Sequence, residues 1–349
     1  MRLVRGLDSV VDNRKFKIQN RKLVGILALV VAFVASGTVA QAQQTGKVLR
    51  IGYLDGSTAS GSAVLIDAFR QELSKLGWTE GKNIAIEYRF AEQKNDRLPE
   101  LAADLVRLKV ELIVVSGIGV ALAIKKATTT IPIVMTRTGD PLALGLVASL
   151  ARPGGNVTGL SSLNPELNTK RLEVLKDAVP NLIRVGLLRP AGNPGSADLP
   201  GVNELRAAAT ALKLKLEEID TQPAAKDLES AFQTAKEKQV NAIMTGGGPS
   251  FFAERKRIVD LAAKHRLPAI YFQKEFVDEG GLMSYGADYD DLYWRAAGYV
   301  DKILKGAKPA ELPVQQATKF EFIVNLKAAK QIGLRIPNNL LERANRVIK

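Results

Sequence analysis

From Val48 onward, apolar β-rich runs alternate with helix-period segments. This pattern predicts parallel sheets covered on both faces by helices. The first half reads as strand Leu49–Leu54, helix Ser62–Leu76, strand Ile84–Phe90, helix Asp96–Leu108 and strand Leu112–Val115. Helix Val120–Ala127, strand Ile131–Met135, helix Pro141–Leu150 and strand Val157–Leu160 follow. Gly77 suits the left-handed residue that closes a helix, and Pro99 sits near a helix start, where proline is tolerated. The second half repeats the order with sequence echoes. Gly52 within Leu49–Leu54 matches Gly186 within Ile183–Leu188, Val110 matches Val240, and Pro132 matches Pro268. Gly154 through Gly159 matches Gly280 through Gly286 with a one-residue gap. The four offsets, 134, 130, 136 and 126 residues, are nearly constant and predict two similar α/β lobes.

The remainder fits neither repeat. Asp288–Leu304 is an amphipathic helix, Gly306–Pro313 a Pro/Gly connection and Phe320–Asn325 a strand, followed by two short helices. Such a tail must pack on one lobe or the other, so the chain is expected to cross between them three times, near Ser162, Tyr285 and Val314. The expected division is residues 47–162 plus 286–313 in one lobe and 163–285 plus 314–349 in the other. Two Rossmann-like lobes with several crossings enclose a cleft at the carboxyl ends of their strands.

The first 42 residues are different. Met1–Lys22 carries seven Lys/Arg against two Asp, an apolar run Leu23–Ala35 follows, and Ala40-Gln41-Ala42 supplies small residues around a cleavage point. These are the parts of a secretory signal peptide, with cleavage expected after Ala42. The apolar run is shorter than the roughly 20 residues that span a bilayer. The basic segment is longer than usual, which leaves room for a start codon downstream of Met1. An exported protein without a span or lipid anchor points to the periplasm.

Composition narrows the chemistry. The chain has no cysteine, which excludes disulfides, thiol catalysis, thiolate metal sites and a lipidated cysteine. One histidine, His265, stands before a Leu-Pro break and leaves little material for acid–base catalysis. Of the net charge of +13, the first 42 residues account for +5, leaving about +8 scattered along helices. With no dense basic stripe interleaved with aromatics, nucleic-acid binding has little support. Ser116 through Gly119 lacks the third glycine and the acidic residue of a dinucleotide site, and Gly246–Gly248 lacks the Lys-Ser/Thr of a phosphate loop. No cofactor and no metal is therefore expected.

Strand ends place the candidate binding residues: Asp55, Ser57, Ser116, Gly117, Thr138, Asp140 and Ser161 from the first lobe. The second lobe offers Asn193, Gly247, Tyr271, Glu275 and Tyr285. Short hydroxyls and glycine-exposed amides near helix starts can hold a carboxylate, and Asp140 or Asp55 can take an ammonium group. Each glycine equally suits a turn and each aspartate a helix cap. Tyr271, Phe272, Phe251, Phe252 and Tyr285 can form an aromatic slot or part of the core.

Several segments together resemble one family. They are Arg97–Val106, Thr128–Val134, Gly139–Pro141, Gly145–Leu150, Arg152–Gly159, Gly281–Gly286, Lys305–Pro309, Leu312–Gln316 and Thr318–Glu321. They resemble ABC-transporter substrate-binding proteins of the tryptophan/tyrosine-binding type over nearly all of Val48–Lys349. The resemblance implies a type I periplasmic-binding-protein architecture with a three-segment hinge and no catalysis. It further implies a monomer that captures a small carboxylate-bearing ligand, an aromatic or branched amino acid or related acid, and delivers it to an inner-membrane ABC permease. Arg189–Asn193 and Gly246–Pro249 depart from the family's usual loops. Two rival readings are an exported α/β enzyme, which would need a polarised acid/base set or metal cluster, and a repressor's sensor domain. The latter would need a helix-turn-helix where the export signal stands.

Overall fold

The computed structural model describes residues 48–163, 166–190, 201–221 and 225–349. The expected leader and Asn193 lie outside the described residues. In the first lobe, β1 (Leu49–Asp55), β2 (Ile84–Phe90), β3 (Leu112–Ser116), β4 (Ile133–Thr138) and β5 (Val157–Ser161) form a parallel sheet. Helices α1 (Ala59–Lys75), α2 (Leu98–Arg107) and α3 (Ile118–Ala127) connect them. Every residue of β3, β4 and β5 is buried, as expected of strands covered on both faces.

After α4 (Leu167–Ala178) the second lobe builds β6 (Arg184–Pro190), β7 (Lys215–Thr221), β8 (Ala242–Thr245), β9 (Ala269–Tyr271) and β10 (Met283–Ala287). Helices α5 (Val202–Ala211), α6 (Ala225–Glu237), α7 (Pro249–Ala253), α8 (Arg255–Lys264) and α9 (Glu275–Asp278) lie between its strands. The chain then returns to the first lobe, where α10 (Tyr289–Leu304) packs on α1, β4 and β5 and the two-residue β11 (Gln315–Gln316) pairs with β5. Finally β12 (Phe320–Asn325) pairs antiparallel with β10, and α11 (Leu326–Gln331), α12 (Asn338–Glu342) and β13 (Arg346–Ile348) finish the second lobe. The sheet orders are β11-β5-β4-β3-β1-β2 and β13-β12-β10-β9-β8-β6-β7. Passages between sheets thus lie between Ser161 and Leu167, between Ala287 and Tyr289, and between Gln316 and Phe320. The last falls a few residues beyond Val314, because Gln315 and Gln316 still pair with Leu160 and Ser161.

The sequence echoes have physical causes. Gly52 and Gly186 face an isoleucine on the neighbouring strand: a Cβ there would approach Ile113 Cγ1 to 3.2 Å and Ile243 Cδ1 to 2.9 Å, respectively. Those same isoleucines donate backbone N–H bonds, both 2.8 Å, to Pro132 and Pro268. Gly159 and Gly286 allow a strand to pass over a carbonyl, since a Cβ would lie 2.3 Å from Met135 O and 2.0 Å from Phe272 O.

The expected helix Pro141–Leu150 is not formed; residues 141–150 are turns. Asp140 Oδ1 accepts from Leu142 N and Ala143 N at 2.9 and 3.2 Å, and Gly145 adopts φ +64°, so local side-chain and glycine geometry outcompetes the apolar spacing. Strand β13 was not expected. It forms because its three residues align in parallel beside Ile323–Asn325. Among the described residues no helix is long and apolar enough to cross a membrane.

Candidate ligand-binding site

The carboxyl ends of the two sheets face one another. Contacts across the gap include Arg137 Nη1 to Gln273 Oε1 at 3.3 Å and Gln93 Nε2 to Glu254 Oε1 at 3.0 Å. Gly61 at the start of α1 lies so near α7 that a Cβ would meet Ala253 Cβ at 2.7 Å. The lobes are therefore closed on each other at this edge.

On the first-lobe side the strand ends hold a buried polar chain. Asp55, fully buried, accepts from Ser57 N at 2.9 Å, Ser62 Oγ at 2.9 Å and Tyr53 hydroxyl at 3.3 Å. The Tyr53 and Tyr293 hydroxyl oxygens are 3.4 Å apart, and Tyr293 donates to Ser116 Oγ at 3.1 Å. Ser116 Oγ also accepts from Arg137 Nε at 2.8 Å. Arg137 is only 6% exposed. Burial works against its charge, but Tyr293, Asp55, Tyr289 and Tyr53 outweigh it and hold the guanidinium above its ordinary pKa. Its Cζ sits 5.5 Å from the Phe252 ring centre and 5.7 Å from that of Tyr289, within cation–π range of both.

On the second-lobe side, Gln273 continues the chain by donating Nε2 to Glu275 Oε2 at 3.4 Å. Burial raises the Glu275 carboxyl to about 7; its own backbone N–H and Lys274 work against that shift, and Asp290 and Asp278 reinforce it. Lys274 itself points to three other carboxylates, Asp290, Glu321 and Asp288, at 2.8, 3.5 and 3.8 Å.

Among the described residues, six buried side-chain atoms at or beside these strand ends have no hydrogen-bond partner: Ser57 Oγ, Arg137 Nη2 and Thr138 Oγ1 from the first lobe, and Thr245 Oγ1, Glu275 Oε1 and Ser284 Oγ from the second, Ser284 standing near the start of β10 level with the end of β9. Four other atoms in that condition, on Arg189, Glu217, Arg255 and Arg257, belong to side chains in ion pairs with Glu218, Lys215, Glu279 and Glu229. Buried polar groups are ordinarily satisfied, so three orphans from each lobe mark this as the candidate site.

The residues expected from the sequence divide into groups. Asp55, Ser57, Ser116, Thr138 and Glu275 come together here. Gly117, with φ +102°, starts α3 directly after Ser116. Ser161 Oγ bonds Gly139 O at 3.0 Å, and Ser162 N bonds Thr138 O at 2.9 Å, so these serines fasten the first passage between lobes. Asp140 caps its own turn. Gly247 is half-buried in the loop after β8. Tyr271 stacks on Phe276 with centroids 4.8 Å apart, inside the second lobe's packing against α8 and α9, and burial pushes its hydroxyl pKa far up. Tyr285 packs edge-on to Phe322, and its carbonyl accepts from Arg171 Nε at 2.6 Å. Of the aromatic slot, Phe252 alone meets Arg137; Phe251 and Phe272 are core.

Sequence reasoning missed Arg137, Gln273, Thr245, Ser284 and Tyr293. A signal existed for the first: Arg137 stands two residues past the expected strand Ile131–Met135 and directly before the candidate Thr138, and it is the one charged residue of β4, which runs on to Thr138.

The chain matches the family described as "ABC transporter substrate binding protein" over residues 60–348. A curated "Tyrosine-binding protein" of Clostridioides difficile is 26% identical over 268 residues, 76% of each chain. Among solved structures, a "conserved domain protein" of Vibrio cholerae is 28% identical with a TM-score of 0.78, covering 86% of this chain and 100% of that one. A Streptococcus pneumonia ABC domain in complex with L-Trp is 26% identical with a TM-score of 0.77 over the same shares. The two-lobed architecture is that of type I periplasmic binding proteins, as the sequence resemblance implied. Its sequence, lobes and facing strand ends place this chain in the ABC transporter substrate-binding protein family.

Proposed function

We propose that this protein captures an aromatic amino acid between its two lobes outside the cytoplasm and delivers it to an ABC permease in the inner membrane. The observation that carries this reading is the set of six buried, unpartnered polar atoms, three per lobe, at facing strand ends. A ligand that satisfies both halves at once favours the closed arrangement, which is how lobe closure couples to capture. The similarity to a tyrosine-binding protein and to a domain holding L-Trp supports an aromatic side chain. The basic leader and apolar run of residues 1–35 support export, with cleavage after Ala42 and function in the periplasm; the proposed working form is a monomer.

A thermal-shift screen followed by calorimetry tests the reading. L-tryptophan or L-tyrosine at 100 times its dissociation constant should add about 2.7 kcal/mol of stability. Binding of neutral sugars with no response to any amino acid overturns it.

A further inference from the structure

We infer that Arg137 and Glu275 form a two-lobed clamp for the head group of an α-amino acid: Arg137 Nη2 takes the carboxylate, Glu275 Oε1 takes the ammonium, and Gln273 sets their spacing. The inference rests on the reading of the cleft as an amino-acid site and names the groups that make it one.

Each of the two side chains has one buried terminal atom without a partner. Arg137 uses Nε on Ser116 Oγ and Nη1 on Gln273 Oε1, leaving Nη2 unmatched in a nearly dry setting. No carboxylate among the described residues forms an ion pair with it. Asp55, the carboxylate that acts on it electrostatically, directs both oxygens to Ser57, Ser62 and Tyr53 instead. A buried guanidinium without a direct anionic partner is costly unless an anion arrives from outside. The rings of Phe252 and Tyr289 lie within cation–π range of the guanidinium. Bidentate or paired N–H bonds to a carboxylate are the recognition that a fixed guanidinium favours.

Glu275 mirrors this arrangement. Oε2 accepts from Gln273, while Oε1 is buried and open. The neighbouring cation, Lys274, is engaged with Asp288, Asp290 and Glu321. Gln273 is neutral and 1% exposed, and its amide is oriented with the oxygen toward the cation and the nitrogen toward the carboxyl. Its length keeps Arg137 and Glu275 from neutralising each other directly. An α-amino acid zwitterion presents the complementary pair of charges on two groups of one carbon, whereas a sugar, an amine or a simple acid leaves at least one of the two unanswered. The carboxyl at Glu275 is raised to about 7 by burial in the ligand-free state. An ammonium group beside it favours the ionised form, so capture near pH 7 releases part of a proton.

Calorimetry on the full protein with head-group analogues tests the clamp. The probes are L-tryptophan, tryptamine and indole-3-propionate, with L-tyrosine, tyramine and 3-(4-hydroxyphenyl)propionate in parallel. Wild type should bind the amino acid at least tenfold more tightly than either truncated analogue. Glu275→Gln should weaken the amino acid tenfold or more, leave the propionate within twofold, and abolish the buffer-dependent proton release. Arg137→Gln should weaken the amino acid a hundredfold and leave the amine within threefold. If Arg137→Gln does not fold, the Glu275→Gln comparison decides alone. Equal losses for amino acid and propionate in Glu275→Gln, or wild-type binding blind to the head group, overturn the clamp while leaving the amino-acid reading standing. A wild type that binds no amino acid overturns that reading, and the clamp with it.

Discussion

The two lobes share a scaffold and differ at its mouth. In both, five parallel strands run in the order second, first, third, fourth, fifth, with glycines, prolines and isoleucines meeting in matched ways. At the strand ends the likeness stops. The first lobe presents a cation fixed in a chain of hydroxyls, Tyr53–Tyr293–Ser116–Arg137. The second presents a carboxyl, an amide and aromatic rings. Backbone constraints of a parallel sheet apply to both halves alike. Under the proposed clamp, a ligand with two different ends requires the halves to differ where they touch it. Outside the shared strands the lobes also diverge: the sixth strand is two parallel residues in one and six antiparallel residues in the other.

The sharpest test of the shared scaffold is at Gly159 and Gly286. Alanine at either should cost about 4 kcal/mol or more, because its Cβ would strike a backbone carbonyl that cannot move aside. Chemical denaturation measures both, and tolerance at one position alone breaks the correspondence between lobes.

Next in size is the pH response of the asymmetric mouth. The folded ligand-free protein holds the Glu275 proton more tightly than the unfolded chain does, with the carboxyl raised from 4.5 to about 7. Stability should therefore fall as pH rises from about 4.5 to about 7, by about 3 kcal/mol, and change no further from this group above that. The groups acting on it are its own backbone N–H, Gln273, Lys274 and Asp278 beside it, Asp290 and Tyr289 from α10, and Arg137 across the gap through Gln273. Melting curves between pH 4 and 8 should show this slope in wild type and its disappearance in Glu275→Gln.

A smaller effect separates Gly186→Ala from Gly52→Ala. The second-lobe site is tighter, 2.9 against 3.2 Å to the facing isoleucine. The loss should be about 1–3 kcal/mol at Gly186 and less at Gly52 by the same unfolding measurement. Smallest of all, Gln93→Ala removes one interlobe hydrogen bond at a partly exposed rim. It should weaken ligand affinity no more than about fivefold by calorimetry, through a slightly less favoured closed state.

Much of the scaffold was legible because its causes are local or periodic. Buried parallel strands are written as apolar runs, and Gly52, Gly186, Pro132 and Pro268 carry the same backbone constraints in both halves. The region 141–150 misled because apolar spacing gives no warning that Asp140 will seize two amides and start a turn. Strand β13 was illegible because a three-residue strand has too few positions to show a period. At the site, Asp55, Ser57, Ser116, Thr138 and Glu275 follow from strand ends. Tyr293 does not, because it arrives from a helix 240 residues after Tyr53 in sequence. Tyr271 looked like a cleft residue for the same positional reason, yet alternation along β9 turns its ring onto Phe276.

Helix α10 follows the last repeat strand of the second lobe but covers α1 of the first, where Trp78 donates to Asp301 at 2.8 Å across 223 residues of chain. The second lobe in turn lacks its sixth strand until β12 has been laid down after that return. Neither core closes before nearly the whole polypeptide is present. A chain cut at Ala287 would leave Leu65 and Phe69 without the helix that shelters them, and would leave β10 with an open edge. The molecule therefore has two lobes in shape but should unfold as one cooperative unit, with a single melting transition rather than a sum of two.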